Sequence, residues 1–180
     1  MELVKGPDKT PIRVNSSQAD EALLEEWINT YQTALLRLCY LQLHDVSLAE
    51  DAVQETFWKA YRAMEGFRGE ANPKTWLARI AMNTCRDMLR TSWFKRVDRR
   101  VDPNTLPPAI IQPTETESEL SLAIMNLPRK LRETILLYYY HDMSTVEIAS
   151  VLGIAQPTVS SRLKRGREKL RTLLERREDP

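Results

Sequence analysis

Glycine is scarce in this chain, five in 180 residues, and strict alternation of apolar and polar residues is almost absent. Hairpins and half-buried strands depend on those features, so no sheet is expected. No apolar run comes near the roughly 20 residues that a membrane-spanning helix requires, and membrane insertion is not expected. The opening stretch from Met1 to Gln18 lacks the apolar core of a secretory signal, which makes the cytoplasm the expected compartment. Cysteine is limited to Cys39 and Cys85, neither in a Cys-x-x-Cys spacing nor in a Cys/His cluster. That pattern argues against a structural metal, and no cofactor is expected. Both cysteines, like His44 and His141, read as packed core residues. No cluster of catalytic side chains is visible, so the chain is not expected to be an enzyme.

What is present is helical. Long runs rich in Leu, Ala, Glu, Lys and Arg, with 42% apolar residues, suit an all-α globular chain. The formal charge of +1 conceals an uneven distribution. Acid crowds the first third at Asp20, Glu21, Glu25, Glu26, Glu50, Asp51 and Glu55, while base concentrates in Arg86 to Arg100 and Arg162 to Arg177. Surfaces of opposite sign imply more than one kind of partner.

Apolar residues at three- and four-residue spacing place helices at about Ala19 to Gln42, from Ser47 through Met64, and Pro73 to Arg90. Their inward stripes are Leu24, Trp27, Ile28, Tyr31, Leu35, Leu38 and Leu41; Val53, Phe57, Ala60 and Met64; and Leu77, Ile80, Ala81, Thr84 and Met88. Ser47 with Glu50 carries a capping-box signature for the second helix. From Ser92 to Ser118 the periodicity disappears and four prolines interrupt the chain, which reads as a linker. Further helices are expected near Glu119 to Asn126, Pro128 to His141, Ser144 to Leu152 and Pro157 to Arg176. The expected organisation is an N-terminal extension (1–18), a helical domain (19–91), a flexible linker (92–118) and a second helical domain (119–177), two small domains on a tether.

The second domain carries a helix-turn-helix pattern. Ser144 and Glu147 form a capping box, Gly153 permits a sharp reversal, and Pro157 suits the first position of the next helix. Val159, Leu163, Gly166 and Leu170 define that helix's inward face, leaving Thr158, Ser160, Ser161, Arg162, Lys164 and Arg165 turned outward. Short donors and acceptors near a helix N-terminus, with long cations beside them, are what major-groove reading requires. A solvated helix of mixed charge would also show such a face. The capped helix and glycine turn ahead of it favour the DNA reader.

Two other faces stand out. On the third helix, Trp76, Arg79, Asn83, Arg86 and Arg90 lie opposite the buried stripe. An aromatic ring, an amide and guanidinium groups are the parts that hold unstacked bases and their backbone. Trp76 could instead pack at the domain edge, and Asn83 could make a local helix bond. The loop before this helix adds Phe67 and Arg68, which could shape a pocket for an extruded base. On the second helix, Asp51, Gln54, Glu55, Trp58 and Arg62 form an acidic face with an exposed tryptophan, a pattern that suits a protein partner and repels nucleic acid. Trp58 lying along the core edge is the alternative.

Three segments in order, AEDAVQETF from Ala49 to Phe57, TWLARIAMN from Thr75 to Asn83, and TVSSRLKR from Thr158 to Arg165, resemble bacterial RNA polymerase sigma factors. The absence of a middle domain points to their extracytoplasmic-function group, and the resemblance covers nearly everything from Ala19 to Leu174. It implies that Asp51, Gln54, Glu55 and Trp58 grip the clamp helices of core RNA polymerase, and that Phe67, Arg68, Trp76, Arg79, Asn83 and Arg86 melt and read the −10 element as a single strand. It implies that Thr158, Ser160, Ser161, Arg162, Lys164 and Arg165 read the −35 element of promoter DNA as a duplex, with their domain on the polymerase flap. The linker would thread toward the RNA exit path, and an anti-sigma factor is among the partners the resemblance allows. Two departures bear on specificity: Ser160 stands where the family often has Lys or Arg, and the turn proline is at Pro157 rather than two positions earlier. Without the resemblance, a free-standing helix-turn-helix regulator that binds a palindromic site by itself fits the second domain equally well.

Overall fold

The computed structural model describes residues 14–64, 67, 72–90 and 115–178. Among the described residues there are seven helices and no strand. In the first half, α1 (Val14–Leu43), α2 (Val46–Arg62) and α3 (Pro73–Arg90) pack together. In the second, α4 (Glu115–Met125), α5 (Arg129–Tyr139), α6 (Thr145–Leu152) and α7 (Gln156–Glu178) do the same.

The inward stripes are where periodicity puts them. Trp27, Leu35, Leu38 and Leu41 of α1 meet Val53, Phe57 and Ala60 of α2 and Leu77, Ala81 and Thr84 of α3, all buried. The buried face of α3 is broader than expected, since Ala78, Met82 and Cys85 are also enclosed. Cys39 and Cys85 are both buried, and a hydrogen bond between them together with desolvation pushes the Cys39 thiol up, which keeps it neutral.

Several boundaries differ from expectation, beginning with α1, which starts at Val14 rather than near Ala19 and so takes in the end of the expected N-terminal extension. The cap of α2 is Asp45 and not Ser47: His44 ends α1 in the left-handed region at φ 62, and the chain turns so that extended Asp45 accepts from the Leu48 N–H at 2.9 Å. Helix α4 begins at Glu115 rather than Glu119, and α5 stops at Tyr139, ahead of His141. Residues 92–114 of the expected linker lie outside the described residues, as do residue 91 and 1–13 of the N-terminal extension.

The helix-turn-helix forms as its signals predict. The Ser144 hydroxyl accepts from the Glu147 N–H at 3.3 Å and the Glu147 carboxylate accepts from the Ser144 N–H at 2.9 Å. Gly153 closes α6 at φ 66, in the left-handed region that a glycine enters at little cost. Replacing Ser144 with Ala removes one half of the box, and it should lower stability by about 1 kcal/mol. That corresponds to a drop of roughly 2–4 °C in Tm for a chain of this size. A thermal melt checks this; an unchanged Tm would mean that solvent caps the helix equally well.

The two halves also dock on one another. Helix α6 lies against α3, and α4 and α5 lie against α1. The reason is a set of polar contacts between residues far apart in sequence. Arg86 meets Glu133 through two bonds of 3.1 and 2.9 Å, and Glu133 is almost fully buried. Arg132, also buried, reaches the end of α1, where it donates to the Gln42 amide and carbonyl oxygens at 3.4 Å and meets His44 Nε2 at 2.8 Å. A cation at the carbonyl ends of α1 and α4 also sits favourably in their dipoles.

Candidate nucleic-acid interface

Helix α7 buries Val159, Leu163, Gly166 and Leu170 and leaves Ser160, Ser161, Lys164 and Arg165 exposed, with Thr158 and Arg162 half-buried. The helix begins one residue earlier than expected, at Gln156, whose amide donates to the Thr145 hydroxyl at 2.9 Å. That bond ties the first turns of α6 and α7 together, so the outward residues of α7 sit on a braced frame. The close approach of α7 to α5 depends on Gly166, because a Cβ there would lie 2.8 Å from Ile135 Cγ1.

On α3, Asn83 is exposed while Trp76, Arg79 and Arg86 are half-buried. Trp76 packs with Phe67 at a centroid separation of 4.9 Å, and both rings make edge-to-face contacts with buried Trp27, at 5.7 and 5.0 Å. One side of each ring is therefore anchored at the edge of the core, and each ring keeps partial exposure. Arg68 lies outside the described residues.

The remaining α3 side chains are engaged by the second half. Arg79 donates to the Ser150 hydroxyl on α6, Thr75 donates to the Glu147 carboxylate at 3.1 Å, and Lys74 lies 3.4 Å from Asp142. The Glu133 hydrogen bonds beside Arg86 raise its affinity for its proton, against the cost of burial. The Glu147 carboxyl is held below its usual range chiefly by the Ser144 hydroxyl and N–H. Local sequence reading missed the partners Glu133, Asp142 and Glu147. The acidic spots on α5 and α6 were visible, but nothing local marked α3 as what they would face.

On α2, Asp51, Gln54, Glu55 and Trp58 share one exposed face, and Trp58 stacks on Tyr61 at 6.4 Å. Beside this face runs a shallow apolar groove lined by Leu24, Ile28, Val53, Phe57, Trp58 and Tyr61. Glu55 also pairs with Lys59 at 3.4 Å. Among the described residues, no group of His, Cys, Asp and Glu is arranged to hold a metal ion, and no helix is long and apolar enough to cross a membrane.

Comparison with known proteins matches two family models in chain order. Sigma-70 region 2 covers residues 27–95, and Sigma-70, region 4 covers residues 117–170. The chain is 31% identical over 171 residues to the ECF RNA polymerase sigma factor SigW of Bacillus subtilis, an alignment covering 87% of this chain and 91% of that one. It is 31% identical over 165 residues to the RNA polymerase sigma-H factor of Pseudomonas aeruginosa, covering 84% and 86%. Among solved structures, CnrH in complex with the cytosolic domain of CnrY is similar at a TM-score of 0.68 and 25% identity, over 91% of this chain and 94% of that one. The sigma factor RpoE of Bartonella quintana, solved with the anti-sigma factor NepR, is similar at 0.66 and 26%, over 84% and 98%.

Proposed function

The chain belongs to the extracytoplasmic-function group of RNA polymerase sigma factors, and from that premise we propose how its surfaces divide the work of a promoter-specificity subunit. It binds core RNA polymerase, recognises promoter DNA and supports initiation. In the proposed division, Asp51, Gln54, Glu55 and Trp58 on α2 meet the clamp helices. Phe67, Arg68, Trp76, Arg79, Asn83 and Arg86 take the −10 element as a single strand. Thr158, Ser160, Ser161, Arg162, Lys164 and Arg165 on α7 read the −35 duplex, with the surrounding domain on the flap. The domains run from 19 to 91 and from 119 to 177, and residues 92–118 lead toward the RNA exit path. The protein works in the cytoplasm and performs no covalent step: capture of an unstacked base offsets the few kcal/mol that unstacking costs.

The observation that carries this reading is that α2 and α7 each bury one face and turn a chemically distinct face outward, acidic with tryptophan and hydroxyl with cation, while α3 gathers an aromatic, an amide and two guanidinium groups of which Asn83 is exposed and Arg79 and Arg86 are bonded to the second half. Docking in the free chain bears on the order of events. Arg79 and Arg86 are bonded to α6 and α5, so DNA reaches them only after the halves part. CnrH and RpoE were each solved with a protein bound, and the likeness to both supports an anti-sigma factor as a partner that holds this chain docked.

The test is reconstitution. Purified chain added to core polymerase on genomic DNA should initiate from a subset of promoters sharing two elements, read by sequencing transcript starts. Failure to bind core polymerase would sink the assignment. Replacing exposed Asn83 with Ala should reduce promoter opening about tenfold, the loss of one good base contact at roughly 1–3 kcal/mol, while polymerase affinity stays within about twofold. Opening is followed by fluorescence of a base analogue in the −10 strand. Equal loss of opening and polymerase binding would assign Asn83 a structural role.

A further inference from the structure

The chain has two histidines, and both lie where its halves meet. His44 ends α1, and its Nε2 is 2.8 Å from Arg132 Nη1 of α5. A guanidinium can only donate, so this nitrogen must carry a free lone pair and the ring must be neutral. Proton uptake by His44 would remove the acceptor and set a second cation against Arg132. Other groups at this junction include Gln42 and the Met125 carbonyl, which accept from Arg132, and Asp45, which caps α2. His141 follows α5 and is buried, and neither ring nitrogen has a hydrogen-bond partner. The charged groups facing it are Lys74, from the first turn of α3 in the other half, and its neighbour Asp142, which pairs with Lys74 at 3.4 Å.

We propose that these two histidines make the contact between the halves a proton-sensitive latch: neutral rings hold α5 and α6 against α1 and α3, and protonation releases them. The mechanism is linkage. Burial first, and then the Lys74 charge, lower His141 from its ordinary 6.5 to about 4, with Asp142 opposing. The Lys74 charge comes from the other half, so docking disfavours the protonated ring: the stability this contributes is fully present above about pH 6.5 and weakens as pH falls below it. His44 acts in the same direction through geometry, because its imidazolium has no acceptor left for Arg132. Release uncovers Arg79 and Arg86, and it is this consequence for promoter engagement that rests on the sigma-factor reading.

The experiment is small-angle X-ray scattering on the full chain at about pH 7.5 and about pH 5.5 at constant ionic strength, with far-UV circular dichroism to verify that the helices persist. The wild-type radius of gyration should increase at the lower pH with helicity unchanged. The double variant His44→Asn/His141→Phe should remain compact at both. Asn keeps an acceptor and tolerates the left-handed backbone at position 44, while Phe keeps a buried flat ring with nothing to protonate. Each single variant should lose part of the response, which guards against a double variant that folds poorly. A wild-type radius that does not change with pH, or variants that expand as the wild type does, would overturn the latch. This readout needs no polymerase, whereas the transcription assay at about pH 7.5 reads on the sigma assignment, so the two can fail separately.

Discussion

Replacing Trp27 with Ala should destabilise the chain by about 3–5 kcal/mol and abolish capture of a single −10 strand. Trp27 is 3% exposed and stands behind both half-exposed aromatics of the α3 side, with Phe67 meeting it at an interplanar angle of 82° and Trp76 at 67°. Each such edge contact contributes about 0.5–1.5 kcal/mol beyond area burial, so truncation removes two of them as well as the indole volume. The expected Tm loss is roughly 10 °C. With their backing gone, Phe67 and Trp76 would collapse inward and no longer offer faces to bases. Trp27→Phe provides the control: it keeps an aromatic edge, and should recover most of the stability and part of the strand binding. A Tm loss under about 2 °C for Trp27→Ala would mean that the three rings do not act as a unit.

The second large effect is expected at Gly166. An added Cβ would meet Ile135 Cγ1 at 2.8 Å and Cδ1 at 3.0 Å, with Leu131 Cβ at 3.9 Å. Ile135 is itself fully buried, so it has little room to yield. Alanine would gain about 1 kcal/mol of helix propensity and return it as overpacking. Leucine would force α5 and α7 apart, and Gly166→Leu should cost a few kcal/mol in stability and weaken −35 duplex binding at least about tenfold. Polymerase contacts through α2 should be affected far less, because α2 lies in the other half. The measurement pairs a thermal melt with duplex titration; unchanged duplex affinity would show that α7 does not depend on this close approach. Gly153 makes the contrast. There a Cβ would meet nothing within 4 Å, and the need is for φ 66, so Gly153→Ala should cost only about 1 kcal/mol through backbone strain.

Much of the helix-turn-helix was legible because its signals are local. A serine three residues before a glutamate, a glycine at the reversal and apolar residues spaced for one helix face each act within a turn or two, and α6 and α7 form as those signals say. The outward face of α7 follows from the same periodicity, as does that of α2. The cap of α2 was misplaced because two polar residues compete there. The left-handed turn at His44, which a pattern of residue types does not encode strongly, made Asp45 the winner. Trp76 was ambiguous for a related reason: helix periodicity sets its direction but says nothing of Trp27, whose ring approaches from another helix.

What the amino-acid sequence determined by itself was therefore the helices, their buried and outward faces, and the chemistry each face carries, since all of these depend on neighbours within a few positions. Only the tertiary structure decided that the two halves dock, that Arg86 is taken by Glu133 and Arg79 by Ser150, and that both histidines lie at the contact. Those partners are separated by dozens of residues, and charge complementarity between distant surfaces leaves no periodic trace along a chain.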